Sequence, residues 1–339
     1  MIIRDFIIYT RGLLSNQPWH YVIIPPTQNI YPFKRYNFEK RHLKPGDYKT
    51  LSKNSKIVTQ LTFTENDAFM LEYLSNICYH FYTNNKTRIV TIHTSWPKVE
   101  DVKKFLDNVT KSCPGLFVKI FLSFDDVLMD KIDRKLFDEK IELIKKLKPL
   151  VKNNSLQAYC HLHNKNHSLI QGLAKETYKE TNLKFMVFFN RRAMDEQGLR
   201  NLASKYMKTY KNLLKQNRKA KIKARERKYS LSGLRRALGI FHNETLYRIC
   251  ACKESPPLCV AGKKSITIGP RGEVYPCLFK GSIGNIKKDT IEEIIKPYSK
   301  KNNKNCFCGW NSLLLISTLY APAKYPGILK KYIEFRTKV

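Results

Sequence analysis

The sequence has no apolar run of about 18 residues, which excludes a membrane-spanning helix. Glycine and proline are scarce, with 14 and 15 residues among 339, so the chain is neither collagen-like nor a low-complexity disordered protein. Acidic residues are also few, 28 against 62 lysines and arginines. The N-terminus lacks the basic and apolar regions of a secretory signal, so we expect a cytoplasmic protein.

The resulting net charge of +34 predicts an acidic partner: nucleic acid, an anionic membrane surface or an acidic peptide. Residues 205–236 contain thirteen lysines and arginines and one acid, Glu226. Three tyrosines are interleaved with them, Tyr206, Tyr210 and Tyr229. This stretch is a candidate phosphate-binding face, and the alternative is the solvated face of a helix that links two domains.

Apolar runs alternate with helical periodicity along residues 21–189. The predicted strands are 21–25, 57–63, 88–93, 117–123, 155–161 and 184–189, and the predicted helices are 66–82, 98–112, 134–151 and 167–180. No hairpin signal separates the strands, which indicates parallel strands with right-handed crossovers. The pattern therefore predicts an α/β fold, either a doubly wound sheet or a partial (β/α) barrel, with its site at the carboxyl ends of the strands.

The pattern changes after residue 189. A long helix is indicated by one apolar stripe, formed by Leu199, Leu202, Ala203, Tyr206, Tyr210, Leu213 and Leu214. From Cys250 the chain is rich in cysteine, glycine and proline, with a predicted strand at 265–268 and a predicted helix at 290–296. These features are typical of a small domain that is held together by a metal.

Most of the nine cysteines lie in the last third of the chain. In a reducing compartment, clustered thiols usually bind a metal. The segment from Cys259 to Cys277 reads as thiol, strand, tight turn, strand, thiol, with the turn at 269–272. Cys306 and Cys308 could complete a set of four thiolates, and at this point an iron–sulphur cluster and zinc both remain open.

The cysteine segment resembles the SPASM and twitch domains of radical SAM enzymes. Cys259, twelve residues, Gly272, four residues and Cys277 follow the C-x(9–15)-G-x4-C signature of that family, and the Gly284-Asn285-Ile286 step and a later cysteine pair follow in the same order. The resemblance implies the shorter twitch form with one auxiliary [4Fe–4S] cluster. The ligands it implies are Cys259, Cys277, Cys306 and Cys308. The closing pair is usually Cys-x-x-Cys, whereas one residue separates Cys306 from Cys308, so Cys252 and Cys250 stay open as alternatives to Cys308.

The resemblance also implies a domain order. Residues 1–190 would form a radical SAM-like partial (β/α)6 TIM-like barrel, and 191–248 a basic helical linker. Residues 249–312 would form the SPASM/twitch-like iron–sulphur domain, and 313–339 a tail that packs on the barrel.

The motif that holds the SAM-cleaving cluster is degenerate. Radical SAM enzymes carry C-x3-C-x2-C after the first strand, where this chain has Tyr31, Arg35 and Phe38, and no other C-x3-C-x2-C occurs. None of these side chains is a thiolate, so the resemblance implies a pseudoenzyme, with an enzyme of unusual cluster ligation as the alternative. Of the family's Gly-Gly-Glu-Pro, which meets the amino group of SAM, only Glu65 is kept.

Further candidate residues follow the fourth and fifth strands. Ser123 and Asp125 resemble the family's Ser-x-Asp, which contacts SAM or substrate, although such residues after a strand often cap a helix. Asn164 or Asn166 is a weaker candidate. His161, His163 and His167 are close enough in sequence for metal ligation, but a loop of solvated histidines is the favoured interpretation, because no carboxylate partner is near.

Two functions from different classes follow. The first is a radical SAM-like protein that keeps one auxiliary [4Fe–4S] cluster, with S-adenosyl-L-methionine (SAM) binding open, and that acts in or beside peptide or small-molecule modification. Its expected partners are an acidic peptide substrate or an intact radical SAM homologue. The second is a basic protein that binds RNA or DNA and holds a structural zinc.

Overall fold

In the computed structural model, the residues that the structure describes are 17–25, 42–64, 67–128, 131–151, 154–163, 165–183, 185–189, 201–209, 212, parts of 240–249, 259–277, 280–299 and 325–337. The chain divides into two compact units. The first comprises 1–126, 138–158 and 261–302, and the second comprises 127–137, 159–260 and 303–339.

The first unit is built on an open, mainly parallel sheet. Its strands are β1 (His20–Ile23), β2 (Gln60–Phe63), β3 (Ile89–Thr94), β4 (Phe117–Ser123) and the start of β5 (Ser155–Leu162), followed late in the chain by β7 (Ser265–Ile268), β8 (Glu273–Tyr275) and β9 (Gly284–Asn285). The order is β5-β4-β3-β2-β1-β7-β8-β9. Strands β1 to β4 are parallel to one another, and β7 pairs in parallel with β1, with His20 opposite Ser265. The predicted α/β class with a parallel sheet is confirmed.

Helices follow the strands, as βαβ crossovers require. They are α1 (Pro45–Asn54), α2 (Leu74–Asn85), α3 (Val99–Ser112), α4 (Arg134–Leu147) and α7 (Ile291–Ser299), with short 3-10 turns at Ala68–Met70 and Lys148–Val151. The predicted helix 66–82 is thus a 3-10 turn followed by α2. Sequence analysis missed α1, whose N-terminus is closed by a hydrogen bond from Lys44 N to Asp47 Oδ2, at 2.7 Å.

Alternate side chains of β3 and β4 form the core between the sheet and its helices. Val90, Ile92, Val118, Ile120 and Leu122 are all inaccessible to solvent. Each fully buried side chain of this size contributes about 1.5–3 kcal/mol of transfer free energy. The apolar faces of α3 and α4 supply the opposite side, which includes Val102, Leu106, Ile141 and Ile144.

The second unit contains the end of β5, with β6 (Phe185–Phe189) beside it, and α5 (Ile170–Thr181). It also contains the helix α6 (201–209), helical residues within 240–249, and α8 (Tyr325–Thr337). The rings of Tyr159 on β5 and Phe188 on β6 lie 5.0 Å apart. The predicted helical stripe is confirmed where α6 is described, since Leu202, Ala203 and Tyr206 are buried. The remainder of the basic stretch to residue 236 lies outside the described residues, except for Asn212.

No helix among the described residues is both long and apolar enough to cross a membrane.

Candidate metal centre and strand-end site

The hairpin of β7 and β8 has the predicted strand–turn–strand form. Thr267 pairs with Tyr275 and Ile268 with Val274 in antiparallel register. Gly269 N donates to Glu273 O at 2.7 Å, and Gly272 has a φ of +92°. A Cβ on Gly272 would lie 2.9 Å from Asn285 Oδ1, so both the backbone conformation and the neighbouring side chain require glycine here.

The segment Gly284-Asn285-Ile286 is hydrogen-bonded to this turn. Asn285 Nδ2 donates to Arg271 O at 3.3 Å, Ile286 N donates to Gly272 O at 2.9 Å, and β9 pairs with β8. A Cβ on Gly284 would lie 2.7 Å from Ile294 Cγ1 of α7, so the step also packs closely against that helix. The glycine of the cysteine signature and this later step therefore form one interlocked structure.

Two of the four predicted thiolate ligands are described, and they flank the hairpin in sequence. Cys277 follows β8 by two residues and is buried, and Cys259 is half-buried and precedes the β-bridge between Ala261 and Ser265. A hairpin with a cysteine at each end fits the donor set of a thiolate-bound metal, and Cys259 and Cys277 stay its predicted ligands. Cys306, Cys308, Cys250 and Cys252 lie outside the described residues, so the complete ligand set stays a prediction.

The other described cysteines have a different environment. Cys78 lies in α2, Cys113 directly follows α3 and Cys160 lies in β5, and all three are buried. Burial raises the pKa of the Cys78 thiol and, with a smaller opposing effect of Ser112, that of Cys113. Because only the thiolate binds a metal, Cys78 and Cys113 are poor ligands.

The side chain of His161 at the end of β5 and the backbone of the loop after it have structural contacts. His161 packs against Tyr159 and Phe188, with ring centroids 5.5 and 6.0 Å away. Asn166 is buried, accepts a hydrogen bond from His163 N at 2.9 Å and donates one to His161 O at 2.8 Å. Asn166 thus orders this loop. Within the described parts of the chain, no group of three His, Cys, Asp or Glu residues is placed to hold a metal ion. Asn164 lies outside them.

Ser123 and Asp125 come together at the carboxyl end of β4. Ser123 Oγ donates to Asp125 Oδ2 at 2.9 Å and accepts from Asp125 N at 3.1 Å. Ser123 is buried, whereas Asp125 is half-buried. Their assignment to SAM or substrate stays a prediction. Glu65, the other predicted SAM-binding residue, lies outside the described residues.

Sequence analysis missed a buried lysine at the same end of the sheet. Lys140 of α4 has no solvent-exposed side-chain surface, and its Nζ donates to Asp126 Oδ2 at 3.1 Å and to Ser95 O at 2.9 Å. Trp96 lies over it, with the ring centroid 3.6 Å from Nζ, and the Trp96 indole N–H donates to Asp126. The available signal was a lysine beside Ile141 and Ile144 on the apolar face of a helix.

Electrostatics set this cluster apart. Burial lowers the pKa of Lys140 from 10.5 to about 8, although Asp126, Asp125 and Asp67 act in the opposite direction. Burial likewise raises the pKa of Asp67, although a hydrogen bond from Phe69 N to its Oδ1 at 3.1 Å acts against this effect. Three carboxylates therefore surround one ammonium group at the ends of β2, β3 and β4.

His20 on β1 is a further buried polar residue that sequence analysis missed. Its ring nitrogens contact Thr62 Oγ1 at 2.9 Å and Ser265 Oγ at 3.0 Å. Burial lowers the pKa of His20 to about 3. It is therefore a neutral residue that joins β2, β1 and β7 within the core.

Tyr31, Arg35 and Phe38, where the resemblance predicts the SAM-cleaving cluster, lie outside the described residues. Their chemistry does not fit that cluster, because none of the three side chains is a thiolate.

Comparisons with known proteins agree with this organisation. Residues 259–313 match the SPASM family model, described as an iron–sulphur cluster-binding domain. The crystal structure of Streptococcus suis SuiB bound to S-adenosylmethionine has a TM-score of 0.50 at 16% identity, over 91% of this chain and 73% of SuiB. A second crystal structure of SuiB gives a TM-score of 0.50 at 15% identity, over 86% and 69%. Among curated protein sequences, none matches significantly. The chain therefore shares the fold of SuiB over most of its length, and its residues 259–313 match the SPASM family of iron–sulphur cluster-binding domains.

Proposed function

We propose that the protein is a degenerate radical SAM protein that holds one auxiliary [4Fe–4S] cluster and does not cleave SAM reductively. The observation that carries this proposal is the SPASM match at residues 259–313, whose first two cysteines flank an intact hairpin. The absence of any C-x3-C-x2-C motif in the sequence supports the loss of the second cluster.

The proposed ligands are Cys259, Cys277, Cys306 and Cys308, with Cys252 or Cys250 as the alternative to Cys308. Bound there, a [4Fe–4S] cluster would supply one-electron redox chemistry or a rigid cross-link of the domain. The protein itself fixes the position of the strand that leads to Cys277, through the turn at Gly272 and the hydrogen bond from Asn285 to that turn.

Iron content and electron paramagnetic resonance test the proposal. After anaerobic reconstitution we expect about four irons per chain and a reduced-state spectrum that SAM does not change. About eight irons, or a spectrum that shifts with SAM, would restore a radical SAM enzyme. Stoichiometric zinc with little iron would overturn the iron–sulphur assignment.

Cysteine variants test the ligand set in the same measurement. Cys259→Ala and Cys277→Ala should each abolish most of the bound iron, whereas Cys113→Ala, a buried thiol outside the SPASM match, should keep it. Comparing Cys308→Ala with Cys252→Ala and Cys250→Ala then identifies the fourth ligand, since only the true ligand should lower the iron content.

The partner follows from charge. A net charge of +34 favours an acidic peptide substrate in cytoplasmic peptide or small-molecule modification, and an intact radical SAM homologue that supplies the catalytic cluster is the other candidate partner. The same charge supports the second candidate, a protein that binds RNA or DNA with a structural zinc. A brown colour after anaerobic purification supports the first candidate, and a colourless zinc protein supports the second.

A further inference from the structure

The loops that follow β3 and β4 are joined by the side chains of Lys140 and Trp96. Lys140 Nζ bonds to Ser95 O in the first loop and to Asp126 in the second. Trp96 completes the connection, because its indole N–H donates to Asp126 and its ring covers the ammonium group. Removal of Lys140 therefore eliminates two hydrogen bonds and leaves the Trp96–Asp126 hydrogen bond without the ammonium group that packs against the Trp96 ring.

Burial of Lys140 restricts the geometry of these contacts. The Lys140 side chain is 0% exposed, whereas Asp126 is 28% exposed and Trp96 is 39% exposed. A buried ammonium group has no water to replace a lost partner, so its geometry is fixed by Ser95 and Asp126. The exposed part of Trp96 is consequently held in one orientation at the carboxyl end of β3.

The adjacent Ser123–Asp125 pair depends on the same loop. Asp125 directly precedes Asp126, and its carboxylate is close enough to raise the pKa of Lys140. The Ser123 hydroxyl holds Asp125 from one side through two hydrogen bonds, and the Asp126–Lys140 ion pair anchors the next residue. The backbone of this loop is thus fixed on both sides of the Asp125 side chain.

We propose that Lys140 is a positioning residue: by linking the loops after β3 and β4, it holds Asp125 where that carboxylate contacts a ligand at the carboxyl end of the sheet. The ligand contact rests on the proposed radical SAM-like function, with SAM as a ligand that is bound and not cleaved, whereas the link between the loops does not. Lys140 itself does not touch the ligand.

Titration of SAM into the reconstituted protein, followed by calorimetry, tests the ligand contact. Lys140→Met removes the ammonium group at similar length and should weaken SAM affinity about tenfold, as expected when a binding group loses its fixed position. Lys140→Arg keeps the charge and two or more donors and should recover most of this loss. Lys145→Met, an exposed lysine of the same helix paired with Glu142, is the matched control and should bind as the wild type does.

Two readouts distinguish positioning from a general loss of stability. Amide hydrogen exchange of residues 95–98 and 124–128 should accelerate in Lys140→Met while β3 and β4 stay protected. The Trp96 emission should titrate with a midpoint near pH 8 in the wild type and stay constant there in Lys140→Met, with Trp96→Phe identifying the signal. The groups facing Lys140 are Asp126, Asp125 and Asp67, so Asp126→Asn, a second variant, should shift this midpoint to lower pH.

The outcomes separate the two proposals. If SAM does not bind to the wild type, SAM binding is removed from the function, and hydrogen exchange alone decides whether Lys140 links the loops. The positioning role would be overturned if Lys140→Met matched the wild type in SAM affinity, in amide hydrogen exchange and in the pH titration of Trp96 emission. This holds whatever the iron content is.

Discussion

Gly272 combines a left-handed backbone with a side-chain position that Asn285 already fills. Gly272→Ala should therefore destabilise the hairpin by about 1–3 kcal/mol and lower the iron content after reconstitution. Urea unfolding and iron analysis measure the two effects. Gly281→Ala is the matched control, because a Cβ there meets no atom within 4 Å. Equal stability of the two variants would contradict close packing between the turn at Gly272 and Asn285.

His20 should make the free energy of unfolding depend on pH. The unfolded chain takes up this proton near pH 6.5, whereas the folded chain resists it until about pH 3. Stability is therefore lost as the pH falls from about 6.5 to 3, by up to about 5 kcal/mol from this residue.

Chemical denaturation at pH 7, 6 and 5 measures this dependence. His20→Gln should remove a contribution of about one proton from the pH dependence of the free energy of unfolding. The same slope in His20→Gln and the wild type would show that the folded state accepts the proton.

At the scale of elements, one amide of α2 caps the C-terminal end of α1. Asn85 Nδ2 donates to Ser52 O at 2.9 Å and to Ser55 O at 2.5 Å, which satisfies carbonyl groups at the C-terminal end of α1. Asn85 is 1% exposed, so these carbonyls have little access to water.

Asn85→Ala should consequently cost about 1–3 kcal/mol, because it leaves buried carbonyls unpaired. Asn84→Ala, which removes an exposed residue's hydrogen bond to Ser52 Oγ, should cost less than about 1 kcal/mol. Thermal unfolding of both variants tests the difference, and hydrogen exchange in α1 shows whether that helix opens first. A loss of similar size in the two variants would argue against this role of Asn85.

The elements were predictable where periodicity decides them. The alternation of apolar runs and helical stretches gave all six early strands, and the strand at 265–268 was placed at its observed bounds. Helix α1 was not predicted, because its sequence is mostly polar and its stability comes from tertiary contacts such as those of Asn85. The parallel pairing of β7 with β1 was not predicted for another reason. Local sequence carries no information about a partner strand more than 240 residues away.

The site was predictable only in part. Cys259, Gly272 and Cys277 were recognisable because spacing along one hairpin is a local property. Lys140 and Asp126 were not, because a buried ion pair between a helix and a strand-end loop depends on the fold that brings them together. A lysine within an apolar stripe is the one local signal that such a pair leaves.

At the scale of the whole molecule, the charge is unevenly distributed. The chain carries +34, yet Asp67, Asp125 and Asp126 gather around Lys140 at the ends of adjacent strands of the first unit. The lysine- and arginine-rich segment 205–236 is far from these residues in sequence. Recognition of a polyanion and binding at the strand ends are therefore expected to involve different residues.

Salt dependence separates a general polyanion interaction from specific recognition. Affinities for a single-stranded RNA and for an acidic peptide, measured by fluorescence anisotropy, should both fall steeply between 50 and 300 mM salt if net charge alone drives them (concentrations on the order of those at which counterion release dominates). Replacing Lys219, Lys221 and Lys223 with glutamine should reduce the slope of affinity against salt concentration for both ligands. The control set of equal charge is Lys103, Lys104 and Lys111 of α3.

RNA affinity that persists at high salt and depends on sequence would favour the nucleic-acid function, whereas persistent affinity for one peptide would favour the peptide-modification function. Because neither substitution set touches the cysteines, iron content should be the same in all of these variants.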